Sequence, residues 1–196
     1  MAYLDENYWS QRYLTGTTGW DIGYPSYPLV QYLDQIVNKE VEILIPGAGN
    51  GLEAAYAFQN GFKDIHLLDF SLHPLESFKM KFPSFPESHI HHEDFFYHNH
   101  QYDLILEQTF FCALDPSLRI QYVNKMYELL KPGGKLVGVL FNQHFEKAGP
   151  PFGGDVKEYQ SLFSKKFEEV KMEPCYNSIP ERQGAELFIQ IQKSNT

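Results

Sequence analysis

The tightest set of residues able to do chemistry is a glycine-rich stretch, Gly47-Ala48-Gly49-Asn50-Gly51, with an acidic residue, Asp69, 18 positions after Gly51. Alternate glycines let backbone come close to a ligand, and a helix beginning just after them presents free N–H groups. A carboxylate ending the next strand is where a nucleotide-binding α/β fold accepts hydrogen bonds from ribose hydroxyls. The competing role for Asp69 is a cap on the following helix, for which Ser71 is the better candidate. The dinucleotide fingerprint is Gly-x-Gly-x-x-Gly, and this loop is one residue shorter. The short form suits a cofactor with no pyrophosphate to cradle. Further on comes Glu93-Asp94-Phe95-Phe96. Asp94 could accept from an adenine amino group and Phe95 could cover the ring face. The alternative is a polar loop with two core phenylalanines.

Other reactive side chains point to less. Cys112 lies in an apolar stretch, where a lone cysteine is usually packed rather than nucleophilic. His89, His91 and His92 lie close together, with His98 and His100 beyond. Only His89 and His91 would share a strand face, and no cysteine joins them, so no metal site is expected. His144, just past a strand, is either a base or a surface histidine.

These residues need a scaffold of alternating strands and helices, which reads as an α/β fold with a parallel sheet. Strands are expected at 41–45, 64–69, 89–92 (weak), 102–107 and 135–141. Helices are expected at 51–60, 72–82, 115–130 and 155–165. Lys131-Pro132-Gly133-Gly134 should break the third of these helices, and residues 167–172 and 186–191 should close the sheet as an antiparallel hairpin. Residues 1–24 are polar and aromatic, and 26–38 reads as a helix on the sheet edge. The chain is thus expected to be one domain, 1–196, with residues 1–40 an N-terminal extension covering the site and 41–196 a Rossmann-like core.

Composition agrees with one soluble domain. The chain has 196 residues, 43% of them apolar and 21% charged. A net charge of -9 disfavours tracking phosphates, so nucleic acid is not an expected partner. Two cysteines, Cys112 and Cys175, cannot build a disulfide framework. No leader or spanning segment is read, so no membrane is expected and the cytoplasm is the expected compartment. Monomer and dimer both stay open.

The pieces in this order resemble the seven-stranded S-adenosylmethionine-dependent methyltransferases. The resemblance implies a mostly parallel sheet with one antiparallel strand, helices on both faces and S-adenosyl-L-methionine as cofactor. A sharper match lies in Trp20-Asp21-Ile22-Gly23, Ile45 to Gly51, Thr109-Phe110-Phe111-Cys112-Ala113-Leu114, Tyr127 to Gly134, and Gly149-Pro150-Pro151-Phe152. From about Trp9 to Lys193 the chain resembles the thiopurine methyltransferase family, nearest its thiol/halide branch. That implies cofactor contacts at Trp9, Tyr13, Trp20, Gly47, Gly49, Asp69, Asp94, Phe95, Glu107 and Gln108. Tyr13 stands where the thiol/halide branch commonly has tryptophan. The thiopurine branch tends to carry arginine at the Gln108 position, so its absence argues against purine-like acceptors. Trp20, Phe110, Phe111 and Phe141 are candidate pocket walls, although Phe110 and Phe111 cannot both face the pocket if extended.

The expected reaction is in-line displacement at the sulfonium methyl by a small soft nucleophile, a thiol, sulfide or halide. Such a nucleophile needs desolvation and alignment rather than a base, so no catalytic residue is singled out. The alternatives are another small acceptor, such as an aromatic thiol or metalloid, and a non-catalytic cofactor-binding module. A nicotinamide oxidoreductase is disfavoured by the glycine spacing.

Overall fold

A computed structural model describes residues 4–195. Seven strands form one sheet: β1 (Glu42–Pro46), β2 (Asp64–Asp69), β3 (Ile90–His92), β4 (Tyr102–Gln108), β5 (Leu130–Phe141), β6 (Glu169–Pro174) and β7 (Glu186–Gln192). Their spatial order is β3-β2-β1-β4-β5-β7-β6. All pairings are parallel except those of β7, which runs antiparallel to both β5 and β6. The strand order reverses between β1 and β4, which opens a crevice above their C-terminal ends.

The central strands are apolar because both faces are covered. Ile43 and Ile45 join Leu67, Leu106 and Phe78 in one buried cluster. Leu44 points the other way, with Leu68, Ile105, Tyr122 and Phe163. Each such side chain contributes about 1.5–3 kcal/mol by leaving water. Among the described residues six α-helices surround the sheet: α1 (Glu6–Leu14), α2 (Tyr27–Asp34), α3 (Leu52–Gln59), α4 (Leu72–Lys81), α5 (Arg119–Leu129) and α6 (Val156–Phe163). Asp5 caps α1 by accepting from Tyr8 N–H, and Asp155 caps α6 by accepting from the amides of Lys157 and Glu158. The helix expected at 26–38 is shorter, and its Leu29 and Leu33 are buried in the same cluster as Ile43.

The third long helix departs most from expectation. Pro116–Leu118 forms only a 3-10 turn before α5. At the other end, Lys131-Pro132-Gly133-Gly134 is no gap, because β5 begins at Leu130 directly after α5. The Lys193 ammonium explains this junction. It donates to the carbonyls of Tyr127 (2.8 Å) and Leu130 (2.7 Å), capping the helix end. Gly133 N–H donates to the carbonyls of Lys193 and Ser194, so the bend is held by the far end of the chain.

Candidate active site

The glycine loop leaves β1 at the crevice and enters α3. Gly47 and Gly49 both have φ in the left-handed region, +60° and +52°. A Cβ on Gly47 would lie 2.4 Å from the Phe110 ring, and one on Gly49 would lie 2.7 Å from the Tyr13 hydroxyl. Glycine is therefore required by backbone conformation and by close neighbours alike. Gly47→Ala is expected to displace Phe110 and to cost roughly 1–3 kcal/mol of stability. Thermal unfolding and methyl-transfer rate measured together test this, and a wild-type melting temperature contradicts it.

Asp69 ends β2 beneath this loop and is buried. Its Oδ2 accepts from Gly49 N–H and its Oδ1 from Ser71 N–H, each at 2.8 Å. Burial pushes its carboxyl up to about 6, against the pull of those two amides. Each oxygen keeps a further lone pair for a ligand hydroxyl. Ser71 does hold the N-cap position of α4, but its hydroxyl makes no cap bond. It pairs instead with the Ser10 hydroxyl at 2.8 Å, which fastens α1 to the rim.

The N-terminal aromatics come together. Trp20 packs edge-on against Trp9 (5.5 Å) and Tyr13 (5.7 Å). Burial and the nearby Asp69 charge push the Tyr13 hydroxyl up, so it stays a donor. Trp20 and Asp21 then line the cleft beside Gly47 and Gly49. Asp21 Oδ2 accepts from Asn50 Nδ2 at 2.5 Å, joining this segment to the glycine loop.

At the end of β4, neighbouring residues part company. Gln108 lines the cleft, and its Oε1 is buried with no hydrogen-bond partner among the described residues. Glu107 faces the core instead. Its Oε1 accepts from the amides of Phe110 (2.8 Å) and Phe111 (3.0 Å), and its Oε2 accepts from the Tyr122 hydroxyl (2.5 Å). Burial pushes Glu107 up to about 7. Its bonds are thus internal, and the expected cofactor contact at Glu107 is replaced by one that shapes the loop after β4. In that loop Thr109 adopts φ +57°, a strained conformation for a β-branched residue. Phe110 faces Gly47, whereas Phe111 is buried against Tyr122, Tyr159 and Phe163. The Arg119 guanidinium lies 4.9 Å from the Phe111 ring centre, so Phe111 belongs to the core and not to the pocket wall.

Phe95 is also a core residue, 3% exposed and packed on Phe110 and Tyr122. It holds Phe110 rather than covering a ligand ring. Asp94 is half-buried and caps the turn Phe95–Tyr97 by accepting from Phe96 N–H. The amide of Glu93 donates to the Asp69 carbonyl, which sets Asp94 on the same rim.

On the other side, Phe141 ends β5, half-buried and edge-on to Phe145. Arg182 was not singled out from the sequence. Its guanidinium sits 5.6 Å from the Phe141 ring centre and donates to the Trp20 carbonyl at 3.3 Å. Glu186 lies 3.5 Å away as its counter-ion. The signal available was a cation four residues before an acid in a connection without periodicity. Cys112 is buried, its thiol donating to the Thr109 carbonyl and pushed up by burial, so it is no nucleophile. His144 is exposed beside Asp155.

The residues present fit S-adenosylmethionine, the cofactor that the resemblance implies. Gln108 Oε1 is a buried acceptor without a donor among the described residues, and the cofactor's ammonium would supply one. Asp69 offers charge to hydroxyls, and Gly47 and Gly49 line the cleft with bare backbone.

Residues 4–190 match the family model of thiopurine S-methyltransferase. The chain is 30% identical to a probable thiol methyltransferase 2 of Arabidopsis thaliana, over 96% of this chain and 85% of that one. It is also 30% identical to thiocyanate methyltransferase 1 of Brassica oleracea, over 98% and 87% respectively. Among solved structures, a Burkholderia thailandensis 1,6-didemethyltoxoflavin-N1-methyltransferase with bound 1,6-didemethyltoxoflavin and S-adenosylhomocysteine shares the fold. Its TM-score is 0.73 at 16% identity, covering 96% of this chain and 87% of that one.

Proposed function

This chain belongs to the thiopurine S-methyltransferase family, and from that premise we propose that its acceptor is a small soft nucleophile: a thiol, sulfide or halide. The enzyme is an S-adenosylmethionine-dependent methyltransferase. When bound, that cofactor supplies an electrophilic methyl group on a sulfonium. The observation that carries the acceptor assignment is that Trp20 lines the cleft beside the glycine loop while Arg182 joins the Trp20 carbonyl to the Phe141 ring behind it. Aromatic faces strip water from a polarisable nucleophile, and a partly buried cation attracts an anionic one.

Each residue then has a task in this reading. Asp69 holds the ribose, with Asp94 further along the rim for the adenine end. Gln108 accepts from the cofactor's ammonium. Gly49 keeps the backbone close, with Tyr13, Trp9 and Trp20 covering it as part of the N-terminal segment. Trp20, Phe110 and Phe141 wall the reacting end. A general base is unnecessary, because a halide carries no proton and a thiol reacts as its thiolate. Glu107 and Cys112 are occupied by the hydrogen bonds that hold the loop after β4. The two cysteines are unlinked and buried, which is compatible with the cytoplasm as the enzyme's compartment.

The pH dependence of turnover tests the reading. With iodide at saturating cofactor, the rate is expected to be flat between about pH 7 and 9, because no enzymic base is used. With a thiol it should rise with that thiol's own ionisation. A bell-shaped iodide profile, or no turnover of either, sinks the assignment. Arg182→Leu is expected to raise KM for thiocyanate or iodide roughly three- to tenfold with little change in kcat. Steady-state kinetics showing an unchanged KM would remove Arg182 from the acceptor site.

A further inference from the structure

Away from the crevice, at the N-terminal end of β2, five of the chain's eight histidines gather. His66 stacks on His89 (4.1 Å between ring centres), His91 (5.2 Å) and His100 (5.8 Å), and His91 packs on His98 (4.9 Å). Asp64 and Asp69 are the two ends of β2, so roughly 16 Å of strand separates this cluster from the cofactor loop. Asp64 and His66 alternate onto one face, and His91 joins that face from β3 beside Leu68.

Three donor atoms converge. Asp64 Oδ1 lies 2.9 Å from His66 Nε2 and 3.8 Å from His89 Nδ1. All three atoms lie within 4.8 Å of one another. Ligands of a tetrahedral zinc, each about 2.0–2.1 Å from the ion, are about 3.3–3.5 Å apart, between those two distances. A second observation is independent of the cluster's composition. His89 Nδ1 is buried without a hydrogen-bond partner among the described residues, a state that native structures avoid unless something binds there. Asp64 is 41% exposed, which leaves an open side for an ion and a water.

We propose that Asp64 Oδ1, His66 Nε2 and His89 Nδ1 bind one divalent transition-metal ion of the zinc class, with water completing the shell. Imidazole and carboxylate suit that class. Ligation through Nε2 leaves the His66 proton on Nδ1, which donates to His91 Nε2 at 2.9 Å. His91 then keeps its own proton on Nδ1, on the side of Glu93 Oε1 at 3.9 Å. This chain orients His66 as an outer-shell partner does. It also uses both nitrogens of His91, so the adjacent group His91–Glu93–His98 cannot take a second ion at the same time. Glu42, held by Lys131 at 2.8 Å and by His100, stays outside the shell.

Cobalt titration of the full-length, chelator-stripped protein tests this by visible absorption, followed by competition with zinc. One equivalent of four-coordinate cobalt, displaced by zinc, is expected. His91→Ala should weaken binding by about 10–100-fold, the range for an outer-shell partner, and His89→Gln by more. His92→Gln, which alters an exposed neighbour outside the set, should bind as wild type, and His98→Gln should retain the single equivalent. No saturable binding, affinity unchanged by His89→Gln, or loss of the ion in His98→Gln alone would overturn the proposal.

Discussion

Asp69→Ala is expected to raise the Kd for S-adenosylmethionine by about 10–150-fold. That is the roughly 1.5–3 kcal/mol that a hydrogen bond to a charged group contributes. The loss has two parts. The ribose loses an ionised acceptor, and Gly49 N–H and Ser71 N–H lose theirs, so the loop that forms the site is also loosened. Calorimetric titration decides the matter, and wild-type affinity would remove Asp69 from the binding site. The same residue predicts a pH signature. Burial raises Asp69 to about 6 in the folded chain, and only its ionised form accepts from two hydroxyls. Affinity should therefore fall by about tenfold per unit below pH 6. Stability moves the other way. A raised carboxyl contributes stability that is full below its ordinary value near 3.8 and is lost as pH rises through about 6. Between pH 7 and 5 this residue alone should weaken cofactor binding while making the ligand-free fold firmer.

Glu107→Ala is expected to destabilise the protein by about 3 kcal/mol or more, or roughly 6–12 °C in Tm. It strands the buried amides of Phe110 and Phe111 and the Tyr122 hydroxyl at once. The Phe110 ring rests on the Gly47 turn, so methyl transfer should fall with stability. Glu107→Gln behaves differently, because its carbonyl oxygen still receives both amides and its amide group can donate to Tyr122. The native carboxyl, raised to about 7, contributes stability that is full below its ordinary value near 4.5 and lost as pH rises through 7. The glutamine variant should therefore lack this part of the decline between about pH 4.5 and 7. Melting curves across that range check both variants. If alanine is tolerated without loss, Glu107 is not the anchor of the loop after β4.

The sheet was legible in the sequence because its central strands are apolar on both faces, so Glu42–Pro46, Asp64–Asp69 and Tyr102–Gln108 stand out as runs. The glycine loop and Asp69 were legible because a tight turn and a strand-end acid leave marks in single residues. Facing was not legible. Glu107 and Gln108, like Phe110 and Phe111, are adjacent residues of similar chemistry, and only register and packing decide which of them looks into the crevice. Position after Asp94 makes Phe95 a candidate ring cover, yet Phe95 packs beneath Phe110. Arg182 lies in an aperiodic connection, where spacing carries no signal. The histidine cluster escaped for a different reason. His89 and His91 were weighed within one strand, whereas Asp64 and His66 come from its neighbour, and only sheet pairing brings them together.

Headspace mass spectrometry with methyl-deuterated S-adenosylmethionine is the most direct test of the central claim. Fed iodide, sulfide and thiocyanate in turn, the enzyme is expected to release deuteromethyl iodide, deuteromethanethiol or deuteromethyl thiocyanate in proportion to enzyme and time. Cofactor binding confirmed by calorimetry, together with no labelled volatile product from any of these acceptors or from simple thiols, would contradict the account.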